Sequence, residues 1–152
     1  MEVTTRVFGT VDVAEDKLIH FAGGLVGFPD LVDFALIHDS EDEKAKGIQW
    51  LQSIQEPQFA IPVLDPLSVL DGYNPQIEDE LLKPLGELNG DNMLVLVTVT
   101  VPRDIAQMSV NLRGPIIINT DNRMAAQVIA EGEEYPVKYP VYDILKRRKE
   151  EG

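Results

Sequence analysis

The chain has no cysteine and only two histidines, His20 and His38, in 152 residues. The first absence removes disulfides, thiolate nucleophiles and cysteine-based zinc sites together, and it fits a reducing compartment. The second leaves little general-base chemistry near neutral pH. Neither histidine has a partner visible in the sequence, and no Gly-x-Ser-x-Gly nucleophile elbow occurs. Aromatic residues are scarce, with a single tryptophan, Trp50, so a sugar-stacking cleft is not suggested. No apolar run approaches the roughly 18 residues a membrane-spanning helix needs. Met1 to Thr10 carries Glu2, Arg6 and Gly9 where an export signal would need an apolar core, so a cytoplasmic location is expected. Positive charge is also in short supply: 13 basic residues stand against 26 acidic ones, a net charge of −13. Such a surface repels phosphate backbones, which argues against direct nucleic-acid binding. The one basic cluster, Lys146 to Lys149, reads as the charged end of a helix, where the macrodipole favours cations.

What is present is β pattern. A chain of this length supports one core, so residues 1–152 are expected to form one domain. Val3, Thr5, Val7, Gly9, Val11 and Val13 alternate at period two, as in a half-buried strand bent or bulged at Gly9. Further strands are expected at 18–21, 34–37, 48–53, 59–64, 93–101, 113–118 and 124–129. In the 93–101 run both faces are apolar at first, which predicts a central strand. The tetrapeptide Asn119-Thr120-Asp121-Asn122 signals a hairpin, because Asn and Asp tolerate left-handed backbone. Gln76 to Leu85 breaks the pattern: Ile77, Leu81, Leu82 and Leu85 recur at helical spacing between Pro75 and Pro84. A second helix is expected over Asp143 to Glu150. The sum is a mainly β chain, an antiparallel barrel or sandwich of short strands with one short internal helix and a C-terminal helix.

The residues that could carry chemistry do not converge in the sequence. Asp39, Glu41 and Glu43 are spaced like the start of a calcium loop, but the sixth position is Lys44 and no Glu follows at the twelfth. Gly23, Gly24 and Gly27 make neither a dinucleotide fingerprint nor a Walker loop. No cofactor or metal is therefore expected. A carboxylate-pair hydrolase stays open as an alternative, since 26 acidic residues offer many pairings. Recognition is the better reading. The loop Gly23 to Pro29 contains apolar Leu25, Val26 and Phe28, which either plug one end of the barrel or meet a partner.

Several segments, taken in order, resemble the FliW family of bacterial flagellar assembly factors. Phe21 to Phe28 resembles the family's F-x-x-G-L/I-P-G-F loop, with Val26 in place of the proline. Leu51-Gln52-Ser53 resembles its LQS strand, and Phe59 to Pro66 with Gly72-Tyr73 its F…P…Y stretch. Val110 to Asn119 resembles x-NL-x-A-P-I-V-I-N, with Gly114 for the alanine, and Gln127 matches a downstream glutamine. The pattern runs from about residue 2 to 139; residues 140–152 lie outside it. The resemblance narrows the fold to a small antiparallel β-barrel and implies a non-enzymatic, cytoplasmic protein, a monomer on its own, that binds flagellin and the RNA-binding regulator CsrA. CsrA represses flagellin translation, and export of flagellin frees the factor to sequester it. A chaperone or scaffold for another client is the neighbouring alternative. Candidate partner-binding residues are Leu25 and Phe28 as apolar anchors, Gln52 and Ser53 as polar positions in an apolar strand, and Asn111 and Asn119 bracketing a strand, although hydrogen bonding within a turn or bulge is the commoner role for the two asparagines. Asp39, Glu41, Asp42 and Glu43 are candidates for an acidic surface that opposes RNA.

Overall fold

A computed structural model describes residues 1–37 and 48–151. The elements are β1 (Glu2–Thr4), β2 (Thr10–Asp12), β3 (Ile19–Phe21), β4 (Asp33–Ile37), β5 (Gln49–Ser53), β6 (Ala60–Leu64), α1 (Asp79–Leu82), β7 (Met93–Thr100), β8 (Ser109–Val110), β9 (Ile116–Asn119), β10 (Met124–Gln127), β11 (Tyr139–Pro140) and α2 (Tyr142–Glu151). Strands β7, β6, β5, β4, β3, β10 and β9 hydrogen-bond in that order, and β7 also pairs with β9, which closes a seven-stranded barrel. Closure removes the exposed edges that an open sheet would present. Strands β8 and β11 extend the sheet beyond the far end of β7.

Alternation of side chains explains why one sheet supports three apolar clusters. Phe21, Phe34, Leu51, Val63, Leu96, Ile116 and Ile118 point into the barrel and fill it. The intervening residues of β7 face outward and are also apolar: Val97 and Val99 join Leu64, Val110, Leu112 and Val141 in a second cluster, covered by Tyr142, Ile144 and Leu145 of α2. Ile117 of β9 packs outward under Leu85 with Ile77 and Leu82. The double-sided hydrophobicity of β7 thus marks a strand with packing on both faces, as its sequence predicts.

Four local outcomes differ from the sequence expectation. The alternating segment at the N-terminus is a hairpin rather than one bent strand. Gly9 has φ +68, and the Thr5 hydroxyl accepts from the Phe8 N–H at 2.8 Å while donating to the Gly9 carbonyl at 2.6 Å, so the chain reverses. The internal helix has a single α turn followed by a 3₁₀ turn over Lys83–Leu85, since Pro84 cannot supply the next helical N–H. Strand β9 begins at Ile116, not 113, because Asn111 Oδ1 accepts the Arg113 and Gly114 N–H groups and ties 111–114 into a turn. Finally, β3 and β10 run parallel, so the barrel is antiparallel in all its pairs but this one. The 119–122 hairpin is present, with Arg123 in the left-handed conformation at φ 62; the Asn119 and Asn122 side chains are used to bond the turn's own amides.

Candidate interaction surface

The loop after β3 forms a small, braced projection at one end of the barrel. Its tip is a two-residue turn. Leu25 and Phe28 exchange backbone hydrogen bonds of 2.8 and 3.2 Å, and Gly27 between them has φ +88, the value that the third position of a type II turn requires. At the base, Gly24 has φ +69, and a Cβ there would lie 2.5 Å from the Phe28 carbonyl oxygen and 2.6 Å from Pro29 Cα. Only glycine lets the two arms of the loop approach this closely.

Side chains split across the turn. Leu25 is 2% exposed and packs into the barrel cluster, closing that end. Val26 and Phe28 are 58% and 47% exposed. The Phe28 ring leans on Phe59 with centroids 4.7 Å apart, and Phe59 touches the buried Phe34 ring at 6.4 Å. A chain of three rings therefore links the surface to the core.

Two glutamines hold the projection from outside. Gln127 Oε1 accepts the Val26 N–H at 3.0 Å, and its Nε2 donates to the Gly114 carbonyl at 3.0 Å. Gln55 Oε1 accepts the Val32 and Asp33 N–H groups, each at 2.9 Å, and its Nε2 donates to the Asp30 carbonyl at 3.1 Å. An exposed aromatic on a backbone fixed this way loses little entropy on meeting a partner. Asp30 and Glu56 are exposed nearby in the chain, and Asp33 pairs with His20 Nδ1 at 2.9 Å. The surroundings are acidic.

The other sequence candidates have internal partners. Gln52 is 1% exposed: its Oε1 accepts the Arg6 N–H at 2.9 Å, and Nε2 donates toward the carbonyls of Ser53, Pro57 and Phe59. It fastens the N-terminal hairpin to the barrel wall. Ser53 is buried, and its hydroxyl accepts the Glu56 N–H. Asn119 is 2% exposed, with Nδ2 donating to the Leu85 and Glu87 carbonyls. Asn111 shapes the turn before β9. The folded barrel thus leaves Phe28, of the six, presented to solvent as a large apolar group. Leu25, Gln52, Ser53 and Asn119 hold the framework around it. Asp39, Glu41, Asp42 and Glu43, and His38 beside them, lie outside the described residues.

Gln127 and Gln55 are the site residues that sequence reasoning passed over as contacts. Gln127 carried a signal through its match to a family position, but its bracing role depends on a fold that brings it to Val26, 101 residues away. Gly114, where the family pattern has alanine, is also tight: a Cβ there would come within 2.9 Å of Asn111 Nδ2. A second, separate surface lies on the barrel wall, a groove of about 480 Å³ lined by Arg6, Val7, Trp50, Pro62, Val99 and Val101. Among the described residues no three His, Asp or Glu side chains are grouped to hold a metal ion, and no helix is long and apolar enough to cross a membrane.

The chain is thus a small closed β-barrel protein with a braced aromatic projection and acidic side chains around it. Comparison with known proteins gives the family. The FliW protein family model matches residues 2–141. A flagellar assembly factor FliW of Lachnospira eligens is 47% identical over 150 residues, covering 98% of this chain and 99% of that protein. One from Lachnoclostridium phytofermentans is 44% identical over 154 residues, covering 100% and 99%. A crystal structure of the flagellar assembly factor FliW superposes with a TM-score of 0.83 at 25% identity, covering 93% of this chain and 96% of that one. The chain belongs to the FliW family of flagellar assembly factors.

Proposed function

We propose that this protein acts without catalysis, in the cytoplasm, as a partner switch: it binds flagellin, and when flagellin is exported it binds CsrA and relieves repression of flagellin mRNA. Family membership over residues 2–141 is the observation that carries this reading. The braced Phe28–Phe59 pair supports it, since rigid aromatics with a packed base are the residues that most often dominate an interface. The charge of −13 gives a physical route to antagonism. An acidic protein docked on an RNA-binding partner adds repulsion toward phosphates. One pair of like charges ~10 Å apart in water costs about 0.4 kcal/mol before screening, so several sum to a couple of kcal/mol, or more than tenfold in RNA affinity.

The test is co-purification of the tagged full chain with flagellin and with CsrA, followed by RNA displacement from CsrA. Binding to both partners is expected, with displacement weakening as salt rises. Failure to bind either partner overturns the proposal. Charge neutralisation at Asp39, Glu41, Asp42 and Glu43 separates the parts: if CsrA binding and RNA displacement are both unchanged, that segment has no role in the repulsion.

A further inference from the structure

Two turns of one design face each other at the end of the barrel opposite Phe28. Asn89-Gly90-Asp91-Asn92 leads into β7, and Asn119-Thr120-Asp121-Asn122 leads out of β9. In each, Oδ1 of the first asparagine accepts the N–H groups two and three residues ahead: 2.7 and 3.1 Å in the first turn, 2.9 and 3.4 Å in the second. The turns are joined by Asn92 Nδ2 donating to Asp121 Oδ2 at 3.1 Å and by the Thr120 N–H donating to the Asn92 carbonyl at 2.8 Å.

They differ in two ways. Asn119 is buried, and its Nδ2 is tied to the Leu85 and Glu87 carbonyls at 2.7 and 3.2 Å. Asn89 is exposed, and among the described residues its Nδ2 donates to no protein group. The residue after Asn119 is the β-branched Thr120; the residue after Asn89 is Gly90, around which a Cβ would meet nothing within 4 Å.

We propose that Asn89 is a site of spontaneous covalent modification, converting to aspartate and isoaspartate through a cyclic imide, while its twin Asn119 stays intact. The Gly90 nitrogen gives its proton to hydroxide or water and bonds to Asn89 Cγ. The Cγ–Nδ2 bond then breaks, and ammonia leaves with a proton taken from solvent. Water adds to either carbonyl carbon of the resulting five-membered ring. Opening on one side gives aspartate; opening on the other routes the main chain through the former side chain, as isoaspartate. Water is the only co-reactant consumed. The Asp91 and Asn92 N–H groups already sit on Oδ1, the oxygen that gathers negative charge as the ring closes. Glycine lacks the Cβ that would crowd the attacking nitrogen. At Asn119 the leaving nitrogen is held in the interior and the threonine side chain stands beside the nucleophile.

Either product adds a negative charge close to Asp91, and isoaspartate also lengthens the main chain by one carbon. The lengthening falls inside the turn that the Asn89 N–H closes on Asn92 Oδ1 at 2.7 Å, so it loosens the hold on Asn92, whose Nδ2 and carbonyl link the two turns.

The experiment is incubation of the full chain for days at mildly alkaline pH, with peptide mapping by mass spectrometry and enzymatic methylation to detect isoaspartate. Both products are expected at Asn89 and neither at Asn119. Gly90→Thr, which copies the twin turn, slows conversion by on the order of tenfold, and Gly90→Ala slows it too. The proposal is overturned if folded Asn89 stays intact while the chain in urea converts it. It is equally overturned if Asn119 converts as fast, or if neither glycine replacement changes the rate.

Discussion

Replacing Gln52 by leucine tests whether the resemblance to a family motif reflects framework or contact. The side chain is fully enclosed, so leucine fits the space with little change of volume. What is lost is polar pairing. The Arg6 N–H loses its acceptor and the Ser53 and Pro57 carbonyls lose the Gln52 donor, whereas the Phe59 carbonyl keeps the Ser53 N–H at 2.9 Å. Three buried or partly buried groups deprived of this partner cost roughly 1–3 kcal/mol each, and the added apolar burial offsets part of that. The expected net loss is about 2–4 kcal/mol, a large share of the ~5–15 kcal/mol that holds a domain of this kind together. At about 2–4 °C per kcal/mol for this size, the melting temperature falls by roughly 5–15 °C. Urea titration and thermal circular dichroism read both numbers. Gln52→Glu sharpens the test through pH. A carboxyl there is buried and faces carbonyl oxygens, so its folded pKa is raised above the ordinary glutamate value of about 4.3. A raised folded pKa means that the folded state holds the proton longer than the unfolded state. The variant is therefore most stable below about pH 4 and loses about 1.36 kcal/mol per unit above it until the folded carboxyl ionises. If Gln52→Leu is as stable as the parent, or Gln52→Glu shows no dependence between pH 4 and 7, the buried network contributes nothing net and the reasoning fails.

Other outcomes follow from the same geometry. Phe28→Ala is expected to weaken partner binding by at least about 2 kcal/mol, roughly 30-fold, while costing only about 0.5–1.5 kcal/mol of stability from the lost ring pair; calorimetric titration beside urea melts separates the two. Gly24→Ala is expected to cost at least about 2 kcal/mol in urea unfolding, because its Cβ meets backbone, whereas Gly27→Ala, equally left-handed but in open space, costs only about 1–2 kcal/mol; equal losses would show that clash plays no part. Val26→Pro restores the family residue but removes the N–H that Gln127 accepts. A gain of about 0.4–1 kcal/mol from unfolded-state entropy and a loss of ~0.5–1.5 kcal/mol for the bond leave a urea midpoint near that of the parent. Burial and the neighbouring Tyr135 push the Tyr73 phenol well above its ordinary 10.0, so above that pH the unfolded chain ionises while the folded one does not, and stability falls as pH rises; Tyr73→Phe should flatten that alkaline slope and cost about 1 kcal/mol at neutral pH for the bond to Leu112.

Period-two alternation, the two-sided apolarity of 93–101 and the turn residues at 119–122 were enough to reveal an antiparallel barrel or sandwich, because strand faces and turn conformations are local properties of side chains; the choice of a barrel came from the family resemblance. The absence of thiols and the scarcity of histidine turned attention from catalysis to recognition, and ordered motif matches made the family visible. Tertiary structure decided what local pattern could not. The parallel β3–β10 pairing depends on which strand ends meet when the barrel closes, and nothing in either strand encodes the neighbour. Leu25 and Phe28 are apolar residues three apart in one loop, paired across its tight turn, yet Leu25 is buried in the barrel and Phe28 lies half exposed over Phe59, because the neighbours each one meets come from strands distant in the chain. Gln52 looks in sequence like a polar contact for a partner, and Asn119 like a turn residue first and a contact second. The carboxamides of both satisfy backbone groups brought close by segments distant in the chain, as burial of those groups demands.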